Sequence, residues 1–130
     1  MTIKILLAAS VLLVKAGCLF AADCPQARVL YDKGDFAGAE KDIAAIPGAL
    51  DLPCIKLLGE SQLAQGRLKE AALSFGKVSE LAHQDKDSML KLARLYSWTN
   101  RLNEAVAAYD AVIALDPAGF GAVVEKARVL

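Results

Sequence analysis

The chain repeats itself, and that constrains its fold more than any other feature. Three stretches, Ala27 to Pro47, Ile55 to His83 and Met89 to Pro117, superpose by their anchor residues. Gly34, Gly66 and Asn100 align, as do Phe36, Leu68 and Leu102, then Ala39, Ala71 and Ala105, then Ile43, Phe75 and Tyr109. The anchors recur after 32 and then 34 residues. That period belongs to helix pairs, not to propeller blades or leucine-rich repeats, and such units bury their apolar faces by stacking on one another.

The residue types explain how each unit closes. Ala27, Gly59 and Ala93 on the first helix of each pair, with Ala39, Ala71 and Ala105 on the second, let two helix backbones approach closely. Ile43, Phe75 or Tyr109, four positions further along the second helix, then fills the groove, because positions i and i+4 share a helical face. Gly34, Gly66 and Asn100 are residue types that tolerate the left-handed conformation ending a helix. An apolar fraction of 55% with only 6% aromatics also suits closely packed helices better than a β-sandwich.

On these residues the chain resembles a tetratricopeptide repeat protein. The likeness is clearest at Leu92-Ala93-Arg94-Leu95-Tyr96, Asn100 to Ala105, Tyr109 and Leu115-Asp116-Pro117. The second unit, Leu58-Gly59 through Gly66, Ala71, Phe75 and Val78, departs by placing His83 where the family usually has proline. The first is the weakest, with a shortened second helix ending near Pro47. The resemblance implies an all-α fold, an α-α superhelix of antiparallel helix pairs with a concave groove. Its repeats fall at about residues 24–47, 53–83 and 87–117, all within a domain of residues 23–130. Val123 and Ala127-Arg128-Val129-Leu130 align with Met89 and Ala93-Arg94-Leu95-Tyr96, so a partial fourth unit is expected over 120–130. It marks either the N-terminal piece of a longer protein or an abbreviated cap.

Residues 1–22 have a secretory pattern: Lys4, an apolar run from Ile5 to Val14, then small residues ending in Ala21-Ala22. The run is too short to cross a bilayer core, so an exported protein, periplasmic or at the cell surface, is expected. Ala16-Gly17-Cys18 offers the competing reading of a lipid-bearing Cys18, although Lys15 stands where such motifs want an aliphatic residue. Membrane attachment is expected only in that case. With Cys18 lost in the leader, Cys24 and Cys54 are left near the starts of two successive first helices. A disulfide between them is the preferred reading in an oxidising compartment, and two small buried thiols are the alternative.

Charge excludes one class of partner. Lysine plus arginine equals aspartate plus glutamate at 15 each, and losing Lys4 and Lys15 with the leader leaves 13 cations against 15 carboxylates. No basic field remains to displace counterions from nucleic acid. Nor is there an enzyme constellation: His83 is the sole histidine, phosphate-loop and nucleophile-elbow spacings are missing, and the carboxylates are spread along helix surfaces. No catalytic, cofactor or metal site is expected.

If the repeats pack as the resemblance implies, the first helices line the groove. They would present Arg28 and Tyr31, then Lys56 and Glu60, then Lys91, Arg94 and Trp98. The four cations suit carboxylates of a peptide and Trp98 suits an apolar anchor; ordinary solvated surface residues are the competing reading. The expected function is an exported scaffold that binds a protein or peptide segment during envelope assembly, secretion or polymer export. The alternatives are a module that positions substrate for a larger enzyme or an outer-membrane export protein, and self-association through the uncapped last unit.

Overall fold

The computed structural model describes residues 24–130; the leader and Cys18 fall outside the described residues. Seven α-helices follow in chain order: α1 (Pro25–Asp32), α2 (Phe36–Ala44), α3 (Leu52–Ala64), α4 (Leu68–Leu81), α5 (Lys86–Trp98), α6 (Leu102–Leu115) and α7 (Phe120–Val129). Each packs on the next, giving three hairpins, α1–α2, α3–α4 and α5–α6, and a final single helix. The described part is an all-α superhelix of stacked pairs.

The turn residues set the hairpins. Gly34, Gly66 and Asn100 have φ of +83°, +74° and +62°. At each turn the residue after them closes a six-residue backbone turn: Asp35 N–H donates to Leu30 O, Arg67 N–H to Gln62 O, and Arg101 N–H to Tyr96 O, at 2.9, 2.9 and 2.8 Å. Their own N–H groups donate to Tyr31, Leu63 and Ser97. This pair of bonds satisfies the last carbonyls of α1, α3 and α5 and turns the chain straight into the next helix. Asp35 and Asp85 cap α2 and α5 by accepting from Gly38 N–H and Ser88 N–H.

The small-and-large pattern makes the core. Ala27, Ala39, Ala71, Ala93 and Ala105 are fully buried, and Ile43, Phe75 and Tyr109 lie against them. Gly59 shows why size matters. A Cβ added there would stand 3.0 Å from the Phe75 ring, which is itself enclosed. Three apolar clusters result, one per pair, and each recruits one or two residues from the next first helix: Leu57, then Leu92 and Leu95, then Ala122. That sharing makes the stack continuous.

The first pair departs from the other two. Helix α2 has nine residues where α4 and α6 have fourteen, and its last turn gives way to a loop through Pro47 and Gly48, the latter with φ +85°. Cys24 and Cys54 come to disulfide distance beside this short pair, with Cα atoms 5.8 Å apart.

Candidate binding groove

The first helices of the pairs, α1, α3, α5 and α7, are neighbours along one side of the stack, tied by side chains reaching from each to the next. At the start of α1, Cys24 lies at disulfide distance from Cys54 of α3. From α3, Glu60 meets Lys91 of α5, and Lys56 meets the α5 cap Asp85. From α5, the Arg94 guanidinium grips Glu125 of α7 with two parallel bonds, Nε to Oε2 at 2.8 Å and Nη2 to Oε1 at 2.6 Å. Glu60–Lys91 and Arg94–Glu125 both span 31 residues, with the charges exchanged.

The environment tunes these groups. The bidentate bond from Arg94, opposed by partial burial and helped by Tyr109, holds the Glu125 carboxyl below the usual range. The same bond raises Arg94. Burial, then the bond to Glu125, pushes the Tyr109 phenol up to about 12, and its hydroxyl donates to Glu125 at 3.1 Å. Burial works against the charge on Lys91, but Glu60 and Asp87 outweigh it and its pKa rises. Lys91 also lies 5.8 Å from the centre of the Phe75 ring.

The seven groove residues named from sequence therefore separate into groups. Lys56, Glu60, Lys91 and Arg94 are drawn into ties between successive helices. Tyr31 meets Phe36 edge to face across the first hairpin. Arg28 is exposed on α1 and makes no ion pair among the described residues. Trp98 is 60% exposed. It borders a cavity of about 300 Å³ lined with Arg94, Ser97, Tyr109, Glu125 and Arg128.

Glu125 and Arg128 were not among the residues singled out from sequence. A signal for them existed: the 34-residue offset puts Arg128 on the position of Arg94 and Glu125 on that of Lys91. Arg128 forms no ion pair among the described residues, although its field helps to lower Glu125. A second cavity, about 500 Å³ and mainly apolar, opens where α2 stops early, between the Gly48–Leu50 loop and Ile55, Leu58, Leu73 and Leu81. Its polar floor is closed internally, with Ser74 Oγ donating to Gln62 Oε1 at 2.6 Å.

Among the described residues no group of three or more His, Cys, Asp or Glu side chains is placed to hold a metal ion. No described helix is long and apolar enough to cross a membrane.

Residues 62–123, from the end of α3 into α7, match the family model described as Tetratricopeptide repeat. Over these residues the chain carries tetratricopeptide repeats. Solved tetratricopeptide repeat structures share its fold at low identity. MamA superposes with a TM-score of 0.73 at 16% identity over 82% of this chain, which spans only 63% of the MamA chain. The second tetratricopeptide domain of human RPAP3, solved with an HSP70 peptide, gives a TM-score of 0.69 at 16% identity, covering 80% of this chain and 88% of that one. PcrH, solved with the chaperone binding region of PopB, gives 0.63 at 18%, covering 80% and 86%. No curated protein sequence matches the chain.

Proposed function

We propose that this tetratricopeptide repeat protein is an exported scaffold that holds a segment of another protein against its row of first helices, with Trp98 as the anchor. The exposed Trp98 beside the 300 Å³ cavity is the observation that carries this reading. Most charges of the row are spent on ties within the stack, whereas Trp98, Ser97 and Arg128 are directed at a shared concave space. A flat indole next to a guanidinium suits an extended segment with one apolar side chain and a neighbouring carboxylate. RPAP3 and PcrH, solved with peptide segments on the same fold, support a segment-binding role. The apolar run Ile5 to Val14, followed by small residues, supports export and a role in envelope assembly, secretion or polymer export.

The test uses the chain's single tryptophan as its own reporter. Peptides selected from a random library on the full chain are expected to shift Trp98 fluorescence to the blue on binding and to lose affinity about tenfold or more with Trp98→Ala. Selected peptides that bind equally well to Trp98→Ala, with no spectral change, would overturn the assignment.

A further inference from the structure

Helix α2 stops where its counterparts continue. At the 32-residue offset, Ile46 and Ala49 stand where α4 carries Val78 and Leu81, but Pro47 and Gly48 lead the chain out of the helix there. The turns that α2 lacks leave the cavity of about 500 Å³ between the Gly48–Leu50 loop, α3 and α4, a volume within the usual range of small-molecule sites. One face of α4 forms a wall, since Glu70, Leu73, Ser74, Lys77 and Leu81 recur at helical spacing. Leu73 and Leu81 are 70% and 66% exposed, and they share the cavity with Ile55 and Leu58 of α3 and Leu50 of the loop.

The chemistry of the lining selects an occupant. No lining residue is aromatic, so the walls are aliphatic and offer nothing for a flat ring to stack on. The hydroxyl of Ser74 and the side-chain carbonyl of Gln62 are spent on each other. An extended peptide would press its amides against two helices whose backbone groups are already bonded, and burying them unpaired is costly. A flexible hydrocarbon chain carries no such groups. The charges at the rim then choose its head. Glu70, the one carboxylate of the lining, is paired with Arg67 at 3.3 Å. About two turns further along α4, Lys77 is exposed and makes no ion pair among the described residues.

We infer that this cavity binds a free alkyl carboxylate, its hydrocarbon chain laid between α3, α4 and the Gly48–Leu50 loop and its carboxylate at the Lys77 ammonium. The site is separate from the cavity beside Trp98, whose lining comes from α5, α6 and α7.

The probe is decanoate, titrated into the full chain below its micelle-forming concentration and followed by isothermal titration calorimetry, with decanol as the uncharged control. Decanoate is expected to bind saturably and more tightly than decanol. Leu73→Asp and Leu81→Asp, both at exposed positions, each weaken decanoate binding about tenfold. Lys77→Met keeps the apolar stem and removes the charge; it lowers decanoate affinity about fivefold, the scale of an exposed ion pair, and leaves decanol unchanged. Trp98→Ala alters neither ligand, so this site and the groove reading stand or fall separately, and circular dichroism confirms that the variants keep their helicity. Four results would overturn the proposal. One is no saturable binding. Another is binding that Leu73→Asp and Leu81→Asp leave intact, as association with the apolar run Ile5 to Val14 would give. The third is an undiminished preference for decanoate in Lys77→Met. The last is light scattering that shows self-association lost with Leu73→Asp, which would make a second copy the occupant.

Discussion

The first and third helix pairs solve one problem with different chemistry. In the third, α5 and α6 have thirteen and fourteen residues, close over Tyr109, and are tied to α7 by the Arg94 fork on Glu125. In the first, α1 and α2 have eight and nine, the large residue is Ile43, and the cation in Arg94's register, Arg28, makes no ion pair among the described residues. What α1 has instead is Cys24 against Cys54. The short pair has two cysteines at disulfide distance beside it, where a link would constrain the unfolded chain, whereas the full-length pair has packing and a reversible ion pair.

The largest effect should come from the core of the full-length second pair, which is built like the third. Phe75→Ala removes an enclosed ring that meets Gly59 and joins Leu92 and Leu95, and is expected to cost about 3–5 kcal/mol in chemical denaturation. Next comes the cysteine pair. Cys54→Ala, or reduction of the folded chain, is expected to cost ~3 kcal/mol, with the lost hydrogen-exchange protection concentrated in α1 and α2. Unchanged protection there, or equal loss over α5 and α6, would break the contrast. Gly59→Leu should cost roughly 1–3 kcal/mol, because the added side chain meets a ring that has nowhere to go.

The smallest effect is electrostatic. Glu125 has a lowered pKa in the folded chain, so its contribution is present above the ordinary glutamate range and is lost as pH falls through its folded value. Because Arg94 and Glu125 are partly exposed, Glu125→Gln should cost only about 0.5–1 kcal/mol at neutral pH and flatten the acid limb of a thermal-denaturation profile. The same variant should bring the Tyr109 phenol, now pushed up to about 12, back toward ordinary tyrosine in a spectrophotometric titration.

Much of this fold was legible in the sequence, for a local reason. A residue that must adopt positive φ is drawn from a short menu, and Gly34, Gly66 and Asn100 declared themselves at a fixed spacing. Ala39, Ala71 and Ala105, each with a larger residue four positions on, declared the close approach of paired helices. The early end of α2 was half legible through Pro47. The ties between successive first helices were not, because Glu60–Lys91 and Arg94–Glu125 depend on which long side chains meet across a helix boundary. Lys56, Lys91 and Arg94 look like free cations in the sequence and are held by carboxylates in the structure. The cavity beside Trp98 was hidden for a similar reason: its wall joins α5, α6 and α7, and only the offset relating Arg94 to Arg128 pointed to it.

The three left-handed turns also set a timetable. Each joins helices that touch within a few tens of residues along the chain, so hairpin formation never waits for a distant segment. As the polypeptide is made from its N-terminus, α1 and α2 can fold back at Gly34 before α4 exists, and Cys54 reaches Cys24 once α3 has emerged. The shortest pair is then already closed, with its cysteine at disulfide distance from Cys54, when the longer pairs begin to build on it.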